Sequence, residues 1–248
     1  MRIALVSDIH GNLVSFEAVL AGVERKQVDQ IVCLGDVPMF GPQPSQVMAR
    51  LRDVGSLCVI GNHDLELLDL EKALAEAQGP PVIAEWMAWC ASQLSPADLA
   101  FLRSFQPMIE IPLAATATLL CFHGSPRSSM DFILATTPVQ ELDEMLDGRT
   151  ANVMAGGHAH MQMLRRHNDM LVVNAGSVGW PLEQMPFEGM PRFMPWAEYA
   201  IVGWTDGHLE IEFHRLPIDM EAVKQAVLDS DMPRADFWID QWITQEGA

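Results

Sequence analysis

Cationic side chains are scarce in this 248-residue chain: 15 Lys and Arg stand against 33 Asp and Glu, a formal charge of −18. Binding to a DNA or RNA polymer draws on clustered Lys and Arg that displace counterions, so no nucleic-acid polymer is expected as a partner. Small anionic substrates stay open, because bound cations invert a local potential. Long apolar runs are missing as well. No stretch reaches the roughly 20 apolar residues of a membrane-spanning helix, and the apolar run at residues 3–6 is too short for a secretory signal. Neither a membrane partner nor export is expected. The four cysteines, Cys33, Cys58, Cys90 and Cys121, lie far apart with no CxxC pair; they read as reduced core residues of a cytoplasmic protein. Repeats, low-complexity tracts and linkers are absent too. A single domain over residues 1–248 is expected, with a helical excursion at about 65–105 and a C-terminal helical tail at about 217–248.

Apolar residues make up 49% of the chain and charged residues 19%, a composition that folds. The first sixty residues alternate two periods. Apolar runs at 3–6, 31–34 and 57–60 read as buried strands, and the segments 13–23 and 45–52 between them repeat at helical spacing. Apolar strands separated by helices imply a parallel sheet covered on both faces, with ligands at the carboxyl ends of its strands. Those ends are polar here: Asp8, then Gly35-Asp36, then Gly61-Asn62-His63-Asp64. Residues 65–105 read as helices, broken at Pro80-Pro81 and restarted by Ser95-Pro96. Strands follow at 108–113, 118–122, 153–155, 171–173, 199–204 and 209–213, the last two joined by a Thr205-Asp206-Gly207-His208 turn. A helix is expected near 220–228.

Five of the eight histidines (His10, His63, His123, His158 and His160) stand at predicted strand ends beside Gly, Asp or Asn. His167, His208 and His214 do not and read as surface or strand residues. Asp8-Ile9-His10 is weak alone, occurring by chance in roughly a third of chains of this length. Gly61-Asn62-His63-Asp64 arises by chance in about one in a thousand, and Gly157-His158-Ala159-His160 in about one in a hundred. His123-Gly124-Ser125-Pro126 adds a further imidazole. Turn chemistry explains the Gly, Asn and Asp residues, but not five histidines in order on one sheet pattern.

In these blocks the chain resembles the calcineurin-like metallophosphoesterase superfamily, whose pattern is D-x-H, G-D, G-N-H-D/E, H and G-H-x-H. Asp8-Ile9-His10-Gly11-Asn12, His123-Gly124-Ser125-Pro126-Arg127 and Asn174-Ala175-Gly176-Ser177-Val178-Gly179 are similar to a small bacterial and archaeal phosphodiesterase-like branch. The resemblance implies an α/β fold, a four-layer α/β/β/α sandwich. It implies two divalent transition-metal ions, with Mn foremost and Fe, Zn, Co or Ni as alternatives. Asp8, His10, Asp36 and His160 would hold one ion, and Asp36, Asn62, His123 and His158 the other, with Asp36 bridging. A bridging hydroxide would attack phosphorus, and His63, steered by Asp64, would protonate the leaving group; a third metal ligand or a turn residue is the alternative for His63.

The implied activity is hydrolysis of a small phosphodiester or nucleotide-type substrate. A dinucleoside polyphosphate (diadenosine tetraphosphate-type) hydrolase is the alternative within enzymes. A non-catalytic scaffold on the same fold is the alternative outside them, opposed by the intact His63 and ligand set. Two departures stand out. Asp36 is followed by Val37-Pro38-Met39 where many members carry G-D-x-x-D, and Trp180-Pro181-Leu182 replaces a common Pro-Arg. Asn12, Arg127 and Arg192 are the candidate substrate contacts. The Pro-, Met- and aromatic-rich segment 180–196 reads either as a pinned loop or as a pocket wall. Trp86 and Trp89, three apart on one helix face, read as core or as a cap over the site.

Overall fold

Short apolar strands and the helices between them build two sheets in the computed structural model, which describes residues 1–77, 79–182 and 191–242. The first sheet contains β1 (Arg2–Val6), β2 (Gln30–Cys33), β3 (Leu57–Cys58), β9 (Trp196–Thr205) and β10 (His208–Pro217), in the order β10-β9-β1-β2-β3. The second contains β4 (Ile109–Ala114), β5 (Ala117–Cys121), β6 (Val153–Gly156), β7 (Gln162–His167) and β8 (Met170–Ala175), in the order β4-β5-β6-β8-β7. Strands β1, β2 and β3 run parallel, as do β5, β6 and β8. Parallel neighbours need long crossovers. Helices α1 (Leu13–Glu24) and α2 (Pro44–Asp53) supply two of them, and α7 (Val139–Leu146) supplies the one from β5 to β6.

Alternation along each strand sets the layers. Ile3 and Leu5 of β1 meet Leu119, Cys121, Val153 and Val173 in the core between the sheets. Ala4 and Val6, pointing the other way, join Phe16 and Val19 of α1 and Val47 of α2. On the far side, Leu120, Met154 and Val172 meet Leu142, Met145 and Leu146 of α7. The outcome is the expected α/β/β/α sandwich. All four cysteines are free and buried, and burial pushes the thiols of Cys58 and Cys90 up to about 12. No described helix is long and apolar enough to cross a membrane.

The excursion consists of α3 (Asn62–Leu68), α4 (Leu70–Glu76), α5 (Pro81–Gln93) and α6 (Pro96–Leu102). Ser95 caps α6 in a reciprocal box, its hydroxyl accepting from Asp98 N while the Asp98 carboxylate accepts from Ser95 N. Trp86 is fully buried and its Nε1 donates to the Pro233 carbonyl at 2.7 Å. It ties the excursion to the tail, made of α8 (Met220–Leu228) and α9 (Ala235–Ile239). Trp86 is therefore a core residue, and Trp89 packs half-buried against the same cluster. The Asp206-Gly207 turn forms as expected, both residues at positive φ, joining β9 to β10.

Two elements went unforeseen. Strand β7 pairs along the edge of its sheet with an exposed Leu164 and two arginines, so it lacks the apolar alternation of a half-buried strand. Helix α7, eight residues long, is the other, while α9 falls within the expected C-terminal helical tail.

Candidate metal centre and active site

The carboxyl ends of β1, β2, β5, β6 and β8 converge, and the loops leaving them turn sharply. Asp8, His10, Asp36, His158 and His160 all adopt positive φ, between 47° and 62°. That left-handed conformation costs a side-chain-bearing residue about 1–3 kcal/mol. Five such residues in one place show a surrounding fold that over-determines their conformation. Gly35 makes the turn before Asp36 possible at φ 106°, and a Cβ there would come within 2.7 Å of both His123 Nδ1 and Gly61 N.

Two triads of ligand-type atoms result, Asp8 with His10 and His160, and Asp36 with His123 and His158, each within 4.8 Å. Asp8 Oδ1 lies 3.2 Å from His160 Nε2, 3.9 Å from His10 Nε2 and 4.0 Å from His123 Nε2, so it stands between the two groups. Asp36 Oδ2 is 3.3 Å from His123 Nε2, and Asn62 Oδ1 is 3.0 Å from the same nitrogen. All seven expected ligands are thereby brought together.

Backbone groups orient this set. His10 Nδ1 lies 3.0 Å from the Met39 carbonyl, His123 Nδ1 2.7 Å from that of Leu34, and His160 Nδ1 2.8 Å from that of Trp180. Each carbonyl accepts from its Nδ1–H, which aims Nε2 inward, where a ring without a second proton offers a lone pair. Met39 occupies the position where many relatives carry a second Asp, and its carbonyl serves His10. The outer oxygens of the carboxylates are also engaged, Asp8 Oδ2 by His158 N and Asp36 Oδ1 by His63 N.

The inner atoms are not: Asp8 Oδ1, Asp36 Oδ2 and His158 Nε2 are buried with no hydrogen-bond partner. Buried charged oxygens without a hydrogen-bond partner are costly, and orphans set within two adjoining clusters of ligand-type atoms are what cations would satisfy. The residues therefore fit metal ions, and the mixed imidazole, carboxylate and amide donors match transition metals.

Protonation agrees with this. Burial, reinforced by His160, lowers His10 to about 3. Burial, reinforced by His123, lowers His158 to about 4. Both rings are neutral lone-pair donors at neutral pH. Burial also opposes charge on His123, but Asp36 and Asp8 outweigh it and hold that ring protonated up to about 10. Burial raises Asp8, yet His160 and His123 bring it down to about 2.

His63 sits at the rim, its side chain 27% exposed, with Nε2 3.9 Å from Asp36 Oδ2. Here the expectation needs correcting. Asp64 does not steer this ring, because its carboxylate accepts the backbone N–H groups of Asp36, Val37 and Gly61 and so ties two loops together. Glu66 holds His63 instead, its Oε2 2.6 Å from Nδ1. The two are three residues apart on α3, a spacing that places side chains together and was readable once a helix was known to begin at Asn62. Burial opposes charge on His63, but Asp36 and Glu66 prevail and raise it above its ordinary value.

Asn12, Arg127 and Arg192 do not hydrogen-bond to the clusters. Asn12 is buried; it caps α1 through Ser15 N and reaches Gly179 O, a cap worth about 1 kcal/mol. Arg127 is spent on a bidentate pair with Asp131. Arg192 is exposed. Of the segment 180–196, residues 183–190 lie outside the described residues. Trp180 is described, and it stacks on His10 with centroids 4.5 Å apart and on Phe193 at 4.6 Å. Phe132 lies 4.1 Å from His158. Neither aromatic contact was signalled by a motif.

A family model described as the calcineurin-like phosphoesterase superfamily domain matches residues 1–191. An uncharacterized protein of Methanocaldococcus jannaschii is 25% identical over 93% of both chains. A symmetrical bis(5'-nucleosyl)-tetraphosphatase of Pectobacterium carotovorum is 42% identical over 71 residues, 27% of this chain and 25% of the other. Among solved structures, a metallophosphoesterase from Sphaerobacter thermophilus superposes with a TM-score of 0.74 at 24% identity, covering 97% of each chain. A hypothetical protein from Pyrococcus horikoshii reaches 0.79 at 17% identity, covering 96% of each.

Proposed function

The chain belongs to the calcineurin-like phosphoesterase superfamily, and on that premise we propose that it is a dinuclear metal-dependent phosphoesterase acting on a small phosphodiester or nucleotide-type substrate. One observation carries the reading: the unpartnered atoms of Asp8, Asp36 and His158 belong to two adjoining triads, with His63 at their edge. Asp8, His10, Asp36 and His160 would hold one divalent ion, and Asp36, Asn62, His123 and His158 the other. Mn is the first ion to supply, with Fe, Zn, Co and Ni as alternatives. When bound, the ions would supply Lewis acidity and positive charge to offset the phosphoryl oxygens.

The chain's own residues do the rest. His63, whose protonated form Asp36 and Glu66 both favour, presents Nε2–H to the leaving oxygen and donates its proton as the ester bond breaks. Asp64 fixes the backbone of Asp36 and Gly61, which holds the Asp36 carboxylate in register with the His63 turn. Trp180, flat on His10, stops that ring from rotating, a contact worth about 0.5–1.5 kcal/mol.

The test is steady-state hydrolysis of a chromogenic phosphodiester and its monoester analogue by chelated protein, with and without added Mn(II). Mn-dependent cleavage of the diester supports the reading. Stoichiometric metal uptake without turnover of either ester opposes it and favours the scaffold. A second reading, hydrolysis of a dinucleoside polyphosphate, is favoured by the 71-residue match to the tetraphosphatase.

A further inference from the structure

Beyond His63 the surface opens into a cleft of about 750 Å³, within the size range of ordinary small-ligand pockets. We infer that this cleft receives the leaving group and selects an uncharged or cationic alcohol of nucleoside size over a leaving group that carries further phosphates. The inference rests on the phosphoesterase reading and narrows it to a substrate class.

Position is the first argument. His63 is itself part of the cleft wall, and its ring packs edge-on against Phe40 at 4.7 Å. A leaving oxygen within hydrogen-bonding reach of Nε2 therefore sends its substituent into this space. Surface chemistry is the second. Phe40, Ile83 and Met87 line the cleft together with Leu65 and Met130. The last two are 45% and 58% exposed. Apolar side chains left in water along a pocket are covered when a flat apolar body enters.

Charge is the third. Among the described residues the carboxylates Glu66, Asp69 and Glu76 line the cleft against two cationic groups, Lys72 and the protonated His63, and His63 is already paired with Glu66. A nucleoside or an amino alcohol enters such a space without penalty. A nucleoside diphosphate leaving group, carrying several negative charges, meets an excess of carboxylates in a confined volume where fields are focused.

Two substrates with the same base separate these cases, thymidylyl-thymidine with a nucleoside as leaving group and dithymidine tetraphosphate with a nucleoside diphosphate. Because the anhydride is intrinsically more reactive, the decisive quantity is how each kcat/KM responds to cleft charge. Asp69→Lys with Glu76→Lys, in Mn-replete protein, should raise kcat/KM for the tetraphosphate by about 10-fold. The monophosphate diester should change less than about 3-fold. The same charge change at the opposite end of the sheets, Asp169→Lys with Asp206→Lys, should move neither ratio. On unmutated protein, added salt should raise kcat/KM for the tetraphosphate relative to the diester, and the cleft variant should lose most of that dependence. This second measurement stands even where a variant folds poorly.

Equal responses of both substrates to the cleft and control variants, with turnover intact, would overturn the inference and leave the phosphoesterase reading standing. No turnover of either substrate or of a chromogenic diester would overturn the phosphoesterase reading itself.

Discussion

Replacing Glu66 by Gln isolates one of the two carboxylates that favour protonation of His63, because Gln preserves size and an acceptor oxygen but removes the charge. The Nδ1···Oε2 distance is 2.6 Å, and the two side chains are 27% and 32% exposed. A hydrogen bond to a charged partner is worth about 1.5–3 kcal/mol, and exposure to solvent places this one toward the lower end. Dividing by 1.36 kcal/mol per pH unit gives a change of about one unit. The sign follows from the role. His63 donates a proton, so activity requires the protonated ring and falls as pH rises through its pKa. Removing the Glu66 charge lowers that pKa, and the alkaline limb of kcat moves toward acid by about one unit. Well above the limb the variant turns over about tenfold more slowly; below it the two enzymes agree. Measurement uses a diester with a nucleoside leaving group, since a nitrophenolate departs without needing the proton. Metal content stays at the unmutated level, because Glu66 touches no ligand of the two clusters. An alkaline limb that does not move, with metal content equal, would refute the assignment of His63 and Glu66 as an acid and its partner.

Asp36→Asn should weaken both metal sites and abolish turnover; elemental analysis showing two ions retained would contradict a shared ligand at Asp36. His63→Ala should keep its metal and lose about 10²–10⁴-fold in kcat with a nucleoside leaving group, whereas equal metal loss would mark His63 as a ligand. The metal-free protein should be most stable near pH 6.5 and lose stability on both sides. Towards acid, His10 and His158, lowered to about 3 and 4, take up protons only on unfolding, which outweighs the opposite contribution of Asp64, raised to about 6. Towards alkali, the stability contributed by His123 is complete below its unfolded value near 6.5 and is lost as pH rises through about 10. Melting temperatures of chelated protein against pH test this, and a monotonic rise to pH 9 would contradict it. Metal binding should displace the His123 proton, so heats of binding near pH 7.5 should depend on the buffer's ionisation enthalpy.

Most of the fold was legible because its signals are local. Apolar runs at residues 3–6 and 31–34 mark strands buried on both faces. Ser95-Pro96 and Asp206-Gly207 carry their turn chemistry in the residues themselves. Strand β7 was not legible, because an edge strand with Leu164 in water and Arg165-Arg166 in sequence obeys no alternation. The seven ligand candidates were legible for a related reason: each lies two to four residues past a strand end, so a sheet that forms at all brings them to one edge.

The partners of those residues were hidden, because they act through the backbone or through a helix whose start was misplaced. The carbonyls of Leu34, Met39 and Trp180 orient three imidazoles, and no side-chain identity announces a carbonyl. Asp64 looked like the neighbour of His63, yet a helix starting at Asn62 turns consecutive side chains apart and brings those three apart together. Asp64 thereby faces the loops, and Glu66 faces the imidazole. The same geometry explains the concentration of strain. Side chains at the ends of parallel strands diverge to alternate faces, so bringing Asp8, His10, Asp36, His158 and His160 to a common centre requires the chain to reverse its hand at each of them. The hydrogen bonds around these turns, and any cations that join their orphaned inner atoms, offset that cost. Substituting a neighbouring glycine such as Gly35, whose φ is 106°, should therefore disturb the metal centre before it disturbs the sheets.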